Sequence, residues 1–225
     1  MTSTHQDTAA TAVTAPVAVT AVAGVFLGTR SERDAEHHGV ELAETLMAQS
    51  IPVPWLSTHR TTGEGGVAVV SVALAAPVEP EALHAALVAA ARSELSDGHD
   101  IAVWAAAAGA TADAGDDALD VRTAAARQAA TALDGRTEGR AVWFPGQDAL
   151  GERVAATDLL AVTAVEDLVS LEGGPVAPGT TVVTRGFVRP RFVGGRAVLH
   201  LQPAVGGTLV PFESPNPTPC CADHA

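Results

Sequence analysis

The chain has 225 residues, 47% of them hydrophobic and 17% charged, with a formal net charge of −13. This is enough apolar material for one sizeable core without disulfide staples, and the charge is too sparse for a disordered polyelectrolyte. All 13 basic residues are Arg and Tyr is absent, which excludes chemistry built on a lysine ammonium (Schiff bases, pyridoxal phosphate, Walker-type phosphate loops, protein kinases) or on a phenol.

The acidic balance argues against nucleic acid as a partner, because phosphate binding draws on a surplus of basic side chains to release counterions. No membrane partner is expected either. The apolar stretch over 9–27 is interrupted by Thr residues and Pro16, and no basic segment leads into it. A soluble, cytoplasmic protein is the expectation.

Residues 1–18 are mostly Thr and Ala without periodicity and read as a tail. The apolar run 19–27, closed by Gly28, predicts a buried strand. Ser31, followed three positions later by Asp34, predicts a capped helix to about Ser50, with Val40, Ala43 and Met47 as its apolar stripe, Leu46 alongside, and Pro52 beyond its end. Segments 55–60 and 67–75 read as a hairpin joined through Gly63, Glu64, Gly65 and Gly66. Pro80 opens a second helix with Leu83, Leu87, Ala90, Ala91 and Leu95 at helical spacing. A strand over 101–108, a helix over 116–133, a strand over 141–144 and a helix over 148–169 follow, the last resting on Leu150, Val154, Leu159 and Val162. Three β-rich segments, 180–192, 196–202 and 208–212, separated by glycine pairs, predict a meander.

Strand, helix, strand, strand, helix, strand is the split βαβ order of ferredoxin-like sandwiches. The expected class is therefore α/β, with α+β as the alternative: a mixed sheet with helices, ferredoxin-like at first and ending in a C-terminal β-meander. The expected division is a tail over 1–18, an α/β domain over 19–172, the meander over 173–213 packed on or extending that domain, and a Pro-rich, Cys-containing tail over 214–225.

Two groups of residues carry the functional expectation. From Gly173 to Phe212 the chain holds four Arg and no Asp or Glu. On one continuous strand Arg185, Arg189 and Arg191 share a face with Phe187, a set suited to gripping a carboxylate or phosphate through guanidinium forks with Phe187 as an apolar platform. The bland counterpart is docking of these cations on the acidic body. Arg30, beside the Gly28-Thr29 turn at a helix N-terminus, is a further anion contact. The second group is Cys220, Cys221 and His224, thiolate and imidazole ligands suited to zinc or copper, with His200 as the remote fourth ligand. Pro215, Pro217 and Pro219 before them favour an extended spacer. Against this stands a pair of plain reduced thiols on a terminal extension.

Asp34, His37, Glu41 and Glu44 share one side of the first helix, and that side is the expected solvent face. His59, His84 and His99 read as surface or loop residues. The resulting expectation is a binding or accessory protein for a small-molecule anion or a protein partner. The alternative is a metal- or thiol-dependent protein or enzyme using the terminal cluster.

Overall fold

The computed structural model describes residues 18–95, 101–111 and 119–214. The first six elements are β1 (Ala21–Thr29), α1 (Glu32–Ala48), β2 (Trp55–Thr62), β3 (Ala68–Ala76), α2 (Pro80–Glu94) and β4 (Ala102–Ala107). Their strands pair antiparallel in the order β4-β1-β3-β2, the ferredoxin-like arrangement expected from the element order. Next come α3 (Val121–Gly135), β5 (Arg140–Trp143), β6 (Arg153–Ala155), α4 (Ala156–Val162), β7 (Asp167–Ser170), β8 (Thr181–Val183), β9 (Arg191–Val193), β10 (Arg196–Ala204) and β11 (Thr208–Pro211). One mixed sheet runs β4-β1-β3-β2-β5-β9-β10-β11-β8-β6, and β7 pairs parallel with β10.

β1 is buried from Ala21 to Leu27 because both faces of the sheet are covered there. Ala21, Ala23, Val25 and Leu27 join Leu56, Val72 and Leu74 in a core under α1 and α2, with Leu42, Leu46, Leu83 and Leu87 projecting from the helices. The opposite face carries α3, whose inward residues Ala125, Ala126, Ala129 and Ala130 are small enough to let the helix settle close. The approach is closest at Gly24, where a Cβ would fall inside the van der Waals shell of the Ala126 carbonyl oxygen.

Ser31 caps α1 as expected, its Oγ accepting from Asp34 N at 3.2 Å. The buried side of α1 keeps Ala43 and Leu46 from the expected stripe but differs in the rest: Leu42, Ala35 and Gly39 also face the core, whereas Val40 and Met47 are half-buried. The stripe is turned by about one residue because Gly39 allows the helix to close on Leu56 and Val72.

Two sequence expectations fail in the second half. In place of one helix over 148–169 there are β6, the short α4 and β7. Val154, assigned to a helical stripe, pairs with Val182 of β8, and the hydroxyl of Thr163 donates to Leu159 O and accepts from Val165 N, turning the chain out of α4. Apolar spacing alone does not separate such a strand and short helix from one long helix. The segment 180–192 is likewise two strands. Arg185 and Gly186 both have positive φ, and Phe187 N closes the turn on Thr184 O at 3.0 Å. β9, β10 and β11 form the antiparallel meander, while β8 lies parallel against β11.

Gly24→Ala should force α3 off the sheet and cost at least about 2 kcal/mol, in the range of overpacked cores. Urea unfolding of the two proteins measures it, and a loss below half a unit would show that α3 yields easily.

Candidate functional site

β5 joins the ferredoxin-like half of the sheet to the meander through β9, and its register sets Arg140 directly opposite Arg191. Two like charges facing each other across a ladder repel. Two carboxylates resolve the conflict. Glu213, just past β11, receives Arg140 Nη1 at 2.9 Å and Arg191 Nε at 3.1 Å. Glu36, from α1, receives Arg140 Nη2 at 2.6 Å and Arg189 Nε at 3.1 Å, and it also takes the Arg189 Nη2 hydrogen bond. Arg189 lies over the Phe187 ring, 4.2 Å from its centroid.

The sequence-derived arginine face is thus divided. Arg185 sits exposed in the turn, so it shares no strand with Arg189 and Arg191, and positive φ is the reason. Arg189 is drawn onto Glu36, and Arg191 is half-exposed on β9. Arg30 is exposed, and the helix start beside it is already served by the Ser31 cap and by Thr29 Oγ1, which accepts from Ser31 N at 3.1 Å. Cys220, Cys221 and His224 lie outside the described residues. His200 is on β10, partly buried, and its Nδ1 is enclosed without a hydrogen-bond partner. Among the described residues no three His, Cys, Asp or Glu side chains gather as a metal site.

The residue that the sequence reading missed is His59, which is 1% exposed. It projects from β2 on the α3 side of the sheet, between Ser57 and Thr61, and faces Ser71 across the ladder. Its Nε2 meets Ser57 Oγ at 2.7 Å, and its ring lies nearly parallel to Phe192. Thr61 and Ser71 share a hydroxyl hydrogen bond of 2.8 Å beside it. Gly139, at φ +108, passes so near the ring that a Cβ would strike Nδ1. Burial pushes the imidazole pKa down to about 3, with the Glu138 main chain acting weakly in the other direction. The ring is therefore neutral near pH 7. Ser, His, Thr at alternate positions of a strand otherwise rich in polar residues was the available signal, but its buried face becomes evident only once α3 covers it.

A cavity of about 170 Å³ opens at this junction, lined by Glu32, Thr58, His59, Arg60, Glu138, Gly139, Arg140 and Arg191, with Val70 as its apolar wall. Two of these residues keep an enclosed nitrogen without a partner, His59 at Nδ1 and Arg140 at Nε. The two lie on opposite faces of the sheet, Arg140 beside Thr58 on the α1 side and the His59 ring on the α3 side against Gly139; a buried polar atom left unpaired is uncommon and costly. Arg60 bridges Glu32 at 2.8 Å at the rim, where its guanidinium is largely in water. The lining holds three arginines and two glutamates, and Arg140 and Arg191 are further paired with Glu36 and Glu213 outside it.

No protein family, curated protein or solved structure matched the chain in comparison. No helix among the described residues is long and apolar enough to cross a membrane.

The depressed His59 pKa links protonation to folding. The unfolded imidazole takes a proton near pH 6.5 and the folded one only near 3, so this contribution is complete above pH 6.5 and is lost as the pH falls through that window. The slope approaches about 1.4 kcal/mol per pH unit. Between pH 6.5 and 4 the stability of the wild type should fall more steeply than that of His59→Gln in denaturant titrations. Parallel curves would mean that the ring is not held neutral.

Proposed function

We propose that this protein binds a small carboxylate-bearing molecule in the cavity between β2, β5 and β9. The observation that carries the reading is Arg140 Nε, enclosed without a partner on a residue that lines the cavity together with Arg60 and Arg191. Three arginines line the cavity, and guanidinium groups recognise carboxylates through paired N–H bonds. A volume near 170 Å³ suits a compact metabolite and not a nucleotide. Arg191 and Arg60, each with part of its guanidinium in water, are the entry contacts, whereas Arg189 and Phe187 hold the wall through Glu36. Arg185 and Arg30 stand apart from this cavity and supply no contact to it.

Calorimetry with acetate, lactate and malonate as probes tests the reading. Arg191→Ala should weaken the best probe about tenfold, Arg185→Ala should leave it unchanged, and chelators should have no effect. Equal affinity in Arg191→Ala and the wild type, or no binding of any of these acids, would end it.

A second reading is favoured by one observation at His200. Its Nδ1 is enclosed without a partner, and its carbonyl accepts from Phe212 N at 2.9 Å, eight residues before Cys220. Eight residues span up to about 26 Å, so Cys220, Cys221 and His224 lie within reach of that imidazole for a zinc or copper(I) site. Full-length protein should then carry one zinc per chain by elemental analysis, and His200→Ala should lower zinc affinity at least about tenfold. Zinc-free protein that fails to take up added zinc would dismiss this reading.

A further inference from the structure

The face of the sheet that α1 and α2 cover over β1, β2 and β3 continues past α1 without a helix on it. The register traces this face: Thr58 is opposite Arg140, Arg140 opposite Arg191, Arg191 opposite Val198, and His200 opposite Val169. Partners across a ladder share a side, and so do residues two apart on a strand. Val169, Leu171, Val193, His200 and Phe212 therefore lie on one uncovered surface. Leu171 is 49% exposed, Val193 51% and Phe212 55%. A cavity of about 430 Å³ lies among them, with Arg189, Arg191 and Glu213 along one side.

We infer that this surface is the seat of the chain's own C-terminal segment, residues 215–225. Phe212 and Glu213 line the cavity and the described chain reaches Ser214, so the segment starts at the cavity's rim. Its direction is restricted. Beyond β11 the next places alongside β10 are taken by β9, which pairs with Arg196, Ala197 and Val198. Pro215, Pro217 and Pro219 have no N–H to give to a ladder, which disfavours continuing β11 as a strand.

The length is sufficient. Eleven residues in an extended, proline-rich form cover about 34 Å, whereas crossing from β9 over β10 to β7 takes about 10 Å. Alternating prolines form the kind of segment that docks on apolar and aromatic surfaces with little entropy to lose. Main-chain carbonyls of the segment, or the side chains of Asn216 and Thr218, offer the hydrogen-bond partner that His200 Nδ1 lacks. Asp223 complements Arg191, whose side chain is 53% exposed. This placement requires no metal and no bound acid.

The test is the reactivity of Cys220 and Cys221 toward N-ethylmaleimide, measured on the full chain in the presence of EDTA so that metal protection is removed. A synthetic peptide of residues 215–225 sets the unprotected rate. The full chain should react at least about tenfold more slowly than the peptide, since only the undocked fraction is open to the reagent. The double variant Leu171→Asp, Val193→Asp alters side chains that are already half in water, and circular dichroism checks its fold. It should return the rate to that of the peptide. Full chain and peptide reacting alike would overturn the inference, as would slow labelling that the double variant leaves unchanged. Protection that rises with protein concentration, together with a dimer by light scattering, would assign the surface to a second copy and overturn it equally. Failure here leaves the carboxylate reading untouched, because none of its readouts involves the C-terminal segment.

Discussion

The arrangement of the second half of this protein depends on two carboxylates placed between three guanidiniums. β5 and β9 meet through Arg140 and Arg191, side by side on one face, with Arg189 next to them. Without Glu36 and Glu213 that junction would set cations against one another in a setting where Arg140 is only 11% exposed. The relay also fixes geometry: Glu36 belongs to α1, Glu213 follows the last strand, and Arg140 donates a hydrogen bond to each. One side chain thus ties the first helix to the end of the meander. Removing one member of such a half-buried network strands the others, which makes the group cooperative and not a sum of surface pairs.

The same junction creates the candidate site. Main-chain bonds from Ala141 N to Pro190 O and from Phe192 N to Gly139 O bring β5 and β9 together with Gly139 lying against the ring of His59. Only a residue without a Cβ fits there, and a positive φ of 108° suits glycine on steric grounds as well. The consequence is a neutral imidazole enclosed on one side by Phe192 and on another by the backbone of Glu138 and Gly139, with Ser57 on Nε2. The relay accommodates Arg140 at both terminal nitrogens yet leaves its Nε unserved. The junction satisfies most of its strong groups and leaves Arg140 Nε, enclosed, without a hydrogen-bond partner.

Covering of the sheet is uneven for a reason that also lies in the chain order. α1 and α2 follow β1 and β3 and lie on one side, while α3, after β4, lies on the other. α4 has only seven residues, too short to blanket the meander. Phe192, Ala197, Leu199 and Leu201 find their core on the α3 side, and the opposite side of the same strands keeps Val193, His200 and Phe212 at the surface.

The sequence by itself determined the elements whose signals are local. The capped α1, the β2 and β3 hairpin, the leucine and alanine stripe of α2 and the glycine-separated meander were all legible, because caps, turn glycines and apolar period depend on neighbours within a few residues. Tertiary structure decided what depends on partners far along the chain. Val154 became a strand residue because Val182 was there to pair with it, and Arg185 left the strand because a turn closed on Thr184. The arginines counted as a face from their parity, but Glu36, some 150 positions earlier, chose which of them stayed paired. His59 looked like a surface residue until α3, Gly139 and Phe192 enclosed it. Periodicity reports which residues share a side of one element; only packing decides whether that side meets water, a carboxylate or another element, and so where an unpaired nitrogen is left.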